Sequence, residues 1–308
     1  MNLEWLIPFL ASTAGAATPL IFASLGELVA EKSGVLNLGV EGMMLVGAVA
    51  GFAVTMATGH VGIGLIAAMV AAMGSSLIFA FLVLTLQTNQ VATGLALTLF
   101  GVGLSAFAGR DLIGRTVEPL PHLTVPGLSG LPFLGPLLFQ FDLMVYLAIA
   151  AVLAVGWVLA RTRLGLILRA VGESPHSAHA IGYPVIRLRY GAVLFGGALA
   201  GLAGAYLCLA LTPMWVEGMT AGRGWIAVAQ VVFATWKPRG ILLGAYLFGG
   251  VNVLQFHGQG MGIAIPAEFL SMLPYLATIL VLVLISRNPR TILLNKPMSL
   301  GQNYRPDA

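Results

Sequence analysis

The chain has 308 residues and a formal net charge of +4, with 58% hydrophobic residues, 8% charged residues and 39 glycines. Its mean hydropathy of +0.95 lies far above that of a soluble domain, which excludes a water-soluble enzyme or binding module. The basic residues sit in short hydrophilic gaps between apolar runs, a topology signal that excludes nucleic acid as a partner.

In chain order, apolar runs fall at about 5–26, 34–58, 61–86, 90–109, 139–160, 190–211, 224–236, 240–256 and 267–286. Most can cross ~30 Å of hydrocarbon as helices. They predict an all-α polytopic bundle of about nine spans (eight to ten), with residues 1–290 as one transmembrane domain and 291–308 as a loosely ordered tail. The first run has neither a basic flank nor a small-residue cleavage site and reads as a retained helix. With connections alternating, Lys32, Arg161, Arg163, Arg169, Arg187, Arg189, Lys237, Arg239, Arg287, Arg290, Lys296 and Arg305 share one side, and Arg110, Arg115 and Arg223 the other. Twelve against three predicts an external N-terminus and a cytoplasmic C-terminus.

The second run, SGVLNLGVEGMMLVGAVAGF (33–52), carries Asn37 and Glu41. A charge in hydrocarbon costs ~2.5–3.5 kcal/mol on insertion scales and needs a cavity or a partner. If residues 36–45 are helical, Asn37 and Glu41 share a face, and Gly39 and Gly42 permit a close helix contact or a helix break. Two compatible readings follow: Glu41 caps freed backbone amides at a broken helix, or the segment lines or gates a path. Gln230 and Asn252 join this set of pathway or helix-break candidates, although interhelical hydrogen bonding is the ordinary role of such side chains. Glu27, Glu31 and Lys32 read as an inner-interface cluster.

Two connections are long. The external one, 110–138, holds five prolines between Gly109 and Pro136 and predicts an irregular loop over the external mouth. In the cytoplasmic one, 161–189, Ser174 can cap a short helix with Pro175 in its first turn, and Gly182 before Pro184 ends it. In the following span Gly197 and Gly201 stand at GxxxG spacing with Gly204 on an adjacent face, a helix-packing surface.

Catalytic signatures are missing. Gly34 and Gly39 have phosphate-loop spacing, but Val40 and Glu41 stand where Lys and Ser/Thr are needed, so no ATP site is expected. Cys208 is the single cysteine, and the five histidines are scattered. The expectation is no catalytic residue, no cofactor and no metal.

Three stretches then carry a resemblance: LGELVAEKSGVLNLGVEGMMLVGA (25–48), TNQVATGLALTLFGVGLS (88–105) and LRAVGESPHSAHAIGYPVIRLRYGAVLFGGALAGLAGAY (168–206). Together they resemble permease subunits of bacterial ABC importers of the branched-chain amino acid, ribose and nucleoside group. The combination of Gly26-Glu27, Asn37-Leu38-Gly39 and Glu41-Gly42 is most similar to the shorter permease of nucleoside or simple-sugar systems. Ribose-specific relatives tend to be acidic where Asn37 stands, which argues against ribose. The resemblance implies that the 174–182 helix couples to a separate ATP-hydrolysing subunit, through Glu173, Ser174, Pro175, His176, Ala178, His179, Ala180 and Gly182. It also implies a second homologous permease, an extracytoplasmic solute-binding protein and a multi-pass place in the bacterial inner membrane, within the lipid bilayer. A secondary transporter with broken helices, or a branched-chain amino acid permease of the same group, are the alternatives; a membrane-embedded enzyme would need a convergent catalytic set.

Overall fold

Glycine and alanine, spread through apolar segments, let helices approach almost backbone to backbone, and the chain folds as that composition dictates. The computed structural model describes residues 5–124, 127, 129, 134–260, 269, 272–286 and 295–305. Among these, regular structure is helical, with three isolated β-bridges. The helices are α1 (Leu6–Lys32), α2 (Val40–Thr58), α3 (Val61–Ala80), α4 (Gln90–Ala108), α5 (Leu134–Leu138), α6 (Leu143–Arg161), α7 (Arg163–Glu173), α8 (Pro175–Ala180), α9 (Val185–Tyr206), α10 (Arg223–Phe233), α11 (Pro238–Gly260) and α12 (Leu273–Ser286). Single π-turns extend α3 to Thr85 and α9 to Leu211.

Six described helices are long and apolar enough to cross a membrane: α1, α2, α3, α4, α6 and α9. Shorter apolar helices lie at Arg223–Phe233 and Leu273–Leu284. Over their apolar windows α9 and α2 are 83% and 72% buried, whereas α4 is 28% buried, so α2 and α9 form the centre and α4 the outside. Contact at the centre is made by the small residues. Gly201 of α9 faces Gly47 of α2, where an added Cβ would stand 2.5 Å from the opposing Cα. Gly204 abuts the Met44 backbone, and Gly197 faces Ala72 and Ser76 of α3.

Two chain segments cross part of the bundle without helix. The first joins α1 to α2. Leu36 N–H meets Gln90 at the start of α4, the Leu38 carbonyl meets Thr98, and Gly42 packs on Thr98 and Gly101. Residues 33–39 therefore climb beside α4, and α2 begins about 16 Å from its end, near the middle of a ~30 Å layer. The second segment, 212–222, follows α9, bridges the external loop at Ile113–Trp215 and Thr116–Met214, and returns inward to the first turn of α2. There α10 begins. It runs back toward Trp236, whose indole meets Glu31 in the last turn of α1.

Several expectations are corrected. Residues 36–39 are not helical, so Asn37 lies in the break and not on a helical face with Glu41. The 161–189 connection holds a whole additional helix, α7, capped by Thr162, whose hydroxyl accepts from Gly165 N–H. Arg223 opens α10 instead of lying in an external connection. Glu27 and Glu31, expected with Lys32 at the inner interface, are each 1% exposed within the bundle near the end of α1.

The tail is corrected over residues 295–305; its 291–294 and 306–308 lie outside the described residues, as does part of the external loop. Ser299 is buried and bonded to the Gly172 carbonyl through both N–H (3.0 Å) and hydroxyl (2.6 Å). Asn303 and Arg305 bond Gln87, and Lys32 donates to the Asn295 carbonyl at 2.8 Å. Polarity had suggested looseness, but these groups bond carbonyls exposed by the α1–α2 break and by helix ends.

Replacing Gly204 by Ala is expected to lower the thermal midpoint of the detergent-solubilised chain, because overpacking costs about 1–3 kcal/mol. Gly103→Ala, where an added methyl meets nothing within 4 Å, is expected to leave the midpoint unchanged or higher.

Candidate functional site

Both breaks end at one side chain. Glu41, 6% exposed in the first turn of α2, accepts from Thr220 Oγ1 at 2.6 Å and Gly222 N–H at 2.9 Å through Oε1. Its Oε2 accepts from Gly224 N–H at 2.6 Å. The carboxylate thus sits on the N-terminus of α10, where free amides and the helix dipole favour negative charge, while belonging to the first turn of α2, which favours it again. Gly224 is required by the contact, since a Cβ there would stand 2.5 Å from the Glu41 Cα. The carboxylate in the apolar run is therefore satisfied by a hydroxyl and an N–H of the other broken segment and by the Gly224 N–H in the first turn of α10.

Asn37 holds the break itself. Its Oδ1 accepts from Gly39 N–H at 2.9 Å, an Asx turn, and its own N–H donates to Glu27 Oε1 at 2.9 Å. With Gln90 accepting from Leu36 N–H at 2.8 Å and Thr98 donating to the Leu38 carbonyl at 2.9 Å, much of the backbone of 36–39 is paired inside the bundle. Gly39 and Gly42 lie against α4, at Leu97 and at Thr98. Gln230 is fully buried, and its Nε2 donates to the Ile241 carbonyl at 2.7 Å, joining α10 to α11. Asn252 is different: it lines a cavity with Arg223, Gln255 and Tyr275.

The α8 cluster is separate from the break. Ser174 caps α8, accepting from Ser177 N–H at 3.3 Å, and Pro175 fills N1. Gly182 takes φ +93°, and its N–H and that of Tyr183 bond the His179 and Ala178 carbonyls at 2.8 and 3.1 Å, closing the helix. Glu173, His176, Ser177, His179 and Ala180 are exposed. Ala178 is not: it is 2% exposed and packs with Val171, Val185 and Tyr304. The Tyr304 ring lies 5.1 Å from the His176 ring and 6.2 Å from that of His179. Behind it Arg189, 1% exposed, donates to the Ser33 carbonyl (3.0 Å), the Ser299 hydroxyl (3.1 Å) and the Gln302 carbonyl (3.3 Å).

Among the described residues no group of His, Cys, Asp or Glu has the geometry of a metal site. A family described as branched-chain amino acid transport system / permease component matches residues 9–283. The chain belongs to that permease family. It is 43% identical to the putative glucose ABC transporter permease protein TsgC13 of Haloferax volcanii, over 96% of both chains. It is 35% identical to the nucleoside ABC transporter permease protein NupC of Lactococcus lactis, over 87% of this chain and 89% of that one. For the guanosine ABC transporter permease protein NupQ of Bacillus subtilis the identity is 31%, over 86% and 88%. No solved structure matches significantly. The permease is accordingly a multi-pass membrane transport component, not itself a catalyst.

Sequence reasoning passed over Arg189, Gln90, Thr98, Thr220 and Tyr304 as parts of these clusters. The one available signal was the mismatch of an Arg at the head of a glycine-rich span, which needs a buried partner.

Glu41→Leu removes the acceptor of three donors at about 1–3 kcal/mol each, whereas Glu41→Gln keeps the shape and one acceptor oxygen. Thermal midpoints of the purified permease are expected to fall in the order native, Gln variant, Leu variant. Equal midpoints for native and Leu forms would refute the pinning role.

Proposed function

We propose that the permease forms half of the translocation path of an ATP-driven importer for a small polar solute, of the nucleoside or simple-sugar class. The observation carrying this reading is the pairing of a separately capped, outward-presented α8 with a chain that lacks a phosphate-cradling loop. A permease without its own nucleotide site needs a docking element for one, and α8 has the form required. Its exposed residues Glu173, His176, Ser177, His179 and Ala180 would enter a groove of the ATP-hydrolysing subunit. Ser174, Pro175, Ala178 and Gly182 set its shape.

The assembly includes a second homologous permease and an extracytoplasmic solute-binding protein. Six long helices, with α10, α11 and α12, give the nine spans, N-terminus outside. In this reading the broken segments meeting at Glu41 are the hinge of alternating access, since helix breaks concentrate backbone rotation in few residues. The nucleoside and glucose permeases named above support the solute class; a branched-chain amino acid solute is the second choice within the family.

The purified chain is expected neither to bind nor to hydrolyse ATP, and proteoliposomes holding all subunits are expected to take up solute only with ATP. ATP-independent uptake would replace this reading with a secondary transporter. His179→Glu together with Ala180→Glu is expected to weaken co-purification with the ATP-hydrolysing subunit at an unchanged thermal midpoint. Ala178→Glu is expected to lower that midpoint, because it displaces Tyr304 from beneath α8.

A further inference from the structure

We propose that the cavity between α10, α11 and α12 is the solute-contacting surface of this half of the path, and that it takes neutral ring compounds carrying several hydroxyl or amide edges, nucleosides first. The proposal rests on the importer reading above and deepens it. The cavity has a volume of about 330 Å³ and is lined by Ala221, Arg223, Ile226, Asn252, Gln255, Phe256, Pro274 and Tyr275. That is the lower end of the ~300–1,000 Å³ range of small-molecule sites, as expected of one wall of a path completed by another subunit.

Its depth fits a path. Arg223 adjoins the residues whose amides hold Glu41, at the point where both broken segments end. Asn252 lies about 21 Å along α11 from Pro238.

The polar groups are what distinguish it. Other amides of the bundle interior bond the backbone: Asn37 with Gly39, Gln90 with Leu36 and Gln302, and Gln230 through Nε2 with Ile241, its buried Oε1 being left without a partner. Asn252 and Gln255, one turn apart on α11 and half-buried, have no hydrogen-bond partner among the described residues. Polar side chains at such depth face water or a ligand. Arg223 is anchored through Nη1 to the Met219 and Thr220 carbonyls, both at 3.2 Å, which leaves its other donors uncommitted. Two amides therefore offer donors and acceptors together, beside a guanidinium and the aromatic faces of Phe256 and Tyr275, on which a planar base can stack.

Charge selects the class further. Among the described residues no carboxylate lines the cavity, both Glu41 oxygens being taken, so an ammonium group meets no counter-charge from them. Arg223 lies within electrostatic reach of Glu41, which offsets its positive charge. A neutral solute meets neither obstacle, whereas a free amino acid would bring an unpaired ammonium.

The test uses the complete importer in proteoliposomes, with Asn252→Cys and Gln255→Cys each introduced alone; the native Cys208 is buried and serves as the unreactive background. A membrane-impermeant methanethiosulfonate is expected to label both introduced thiols, and guanosine delivered by the binding protein under a non-hydrolysable nucleotide is expected to slow labelling about 3–10-fold, as loss of a few hydrogen-bonding contacts would read. In parallel, uptake of guanosine, uridine, glucose and leucine is compared between native, Asn252→Ala and Gln255→Ala forms. The Ala variants are expected to take up about 3–10-fold less nucleoside per ATP hydrolysed at equal assembly. Thiols that stay unlabelled while one placed at the exposed Arg115 reacts, or labelling indifferent to guanosine, overturn the proposal. Transport of leucine alone overturns it while leaving the importer reading intact, and ATP-independent uptake with guanosine-protected thiols does the reverse.

Discussion

Backbone amides and carbonyls that leave a helix inside an apolar bundle have no water to turn to, and the arrangement of this permease follows from meeting that demand twice. Residues 33–39 and 212–222 both run without helix alongside helical neighbours. Glu41 answers the second segment with three accepted hydrogen bonds, and Asn37, Glu27, Gln90 and Thr98 answer the first. Each unanswered group would cost several kcal/mol in hydrocarbon, comparable with the whole stability of a domain once a few are summed. The polar residues scattered in apolar runs are thus mostly there for the backbone.

The same demand explains which parts were legible in advance. Long apolar runs and small residues at GxxxG spacing report a period and a packing distance, both local properties, so helices α1, α3, α4, α6 and α9 and the Gly197–Gly204 contact surface could be read directly. The α8 cap and its Gly182 stop were legible because capping chemistry is also local. Asn37 and Glu41 advertised a break, but not where it lay. Their partners, Gly39, Glu27, Thr220, Gly222 and Gly224, include residues up to 183 positions away, and no spacing rule reaches so far. Amphipathic α7 was passed over although Leu164, Ile167, Leu168 and Val171 stand at i, i+3, i+4 and i+7, the spacing of an apolar helical face.

Around α8 the chain shows how a short capped helix is kept rigid. Inward-facing Ala178 and Pro175 leave room for Tyr304, and Tyr304 in turn lies 6.0 Å from the Arg189 guanidinium. From Arg189 the bonds pass to the Ser33 carbonyl, at the start of the α1–α2 break. A contiguous set of packed and hydrogen-bonded groups therefore joins α8 to the α1–α2 break, and displacement of one is resisted by the other.

That set has an order in time as well as in space. Arg189 finds Ser299 and Gln302 at sequence separations of 110 and 113 residues, after α10, α11 and α12 have been made. At ribosomal rates of ~5–20 residues per second, the guanidinium waits on the order of 5–20 s for these partners. Over that interval α10, α11 and α12 leave the ribosome, so the bonds of residues 295–305 to Arg189 can close only after those helices have been made. Packing of the helices and fastening of Arg189 are thereby set apart by the order of the chain itself.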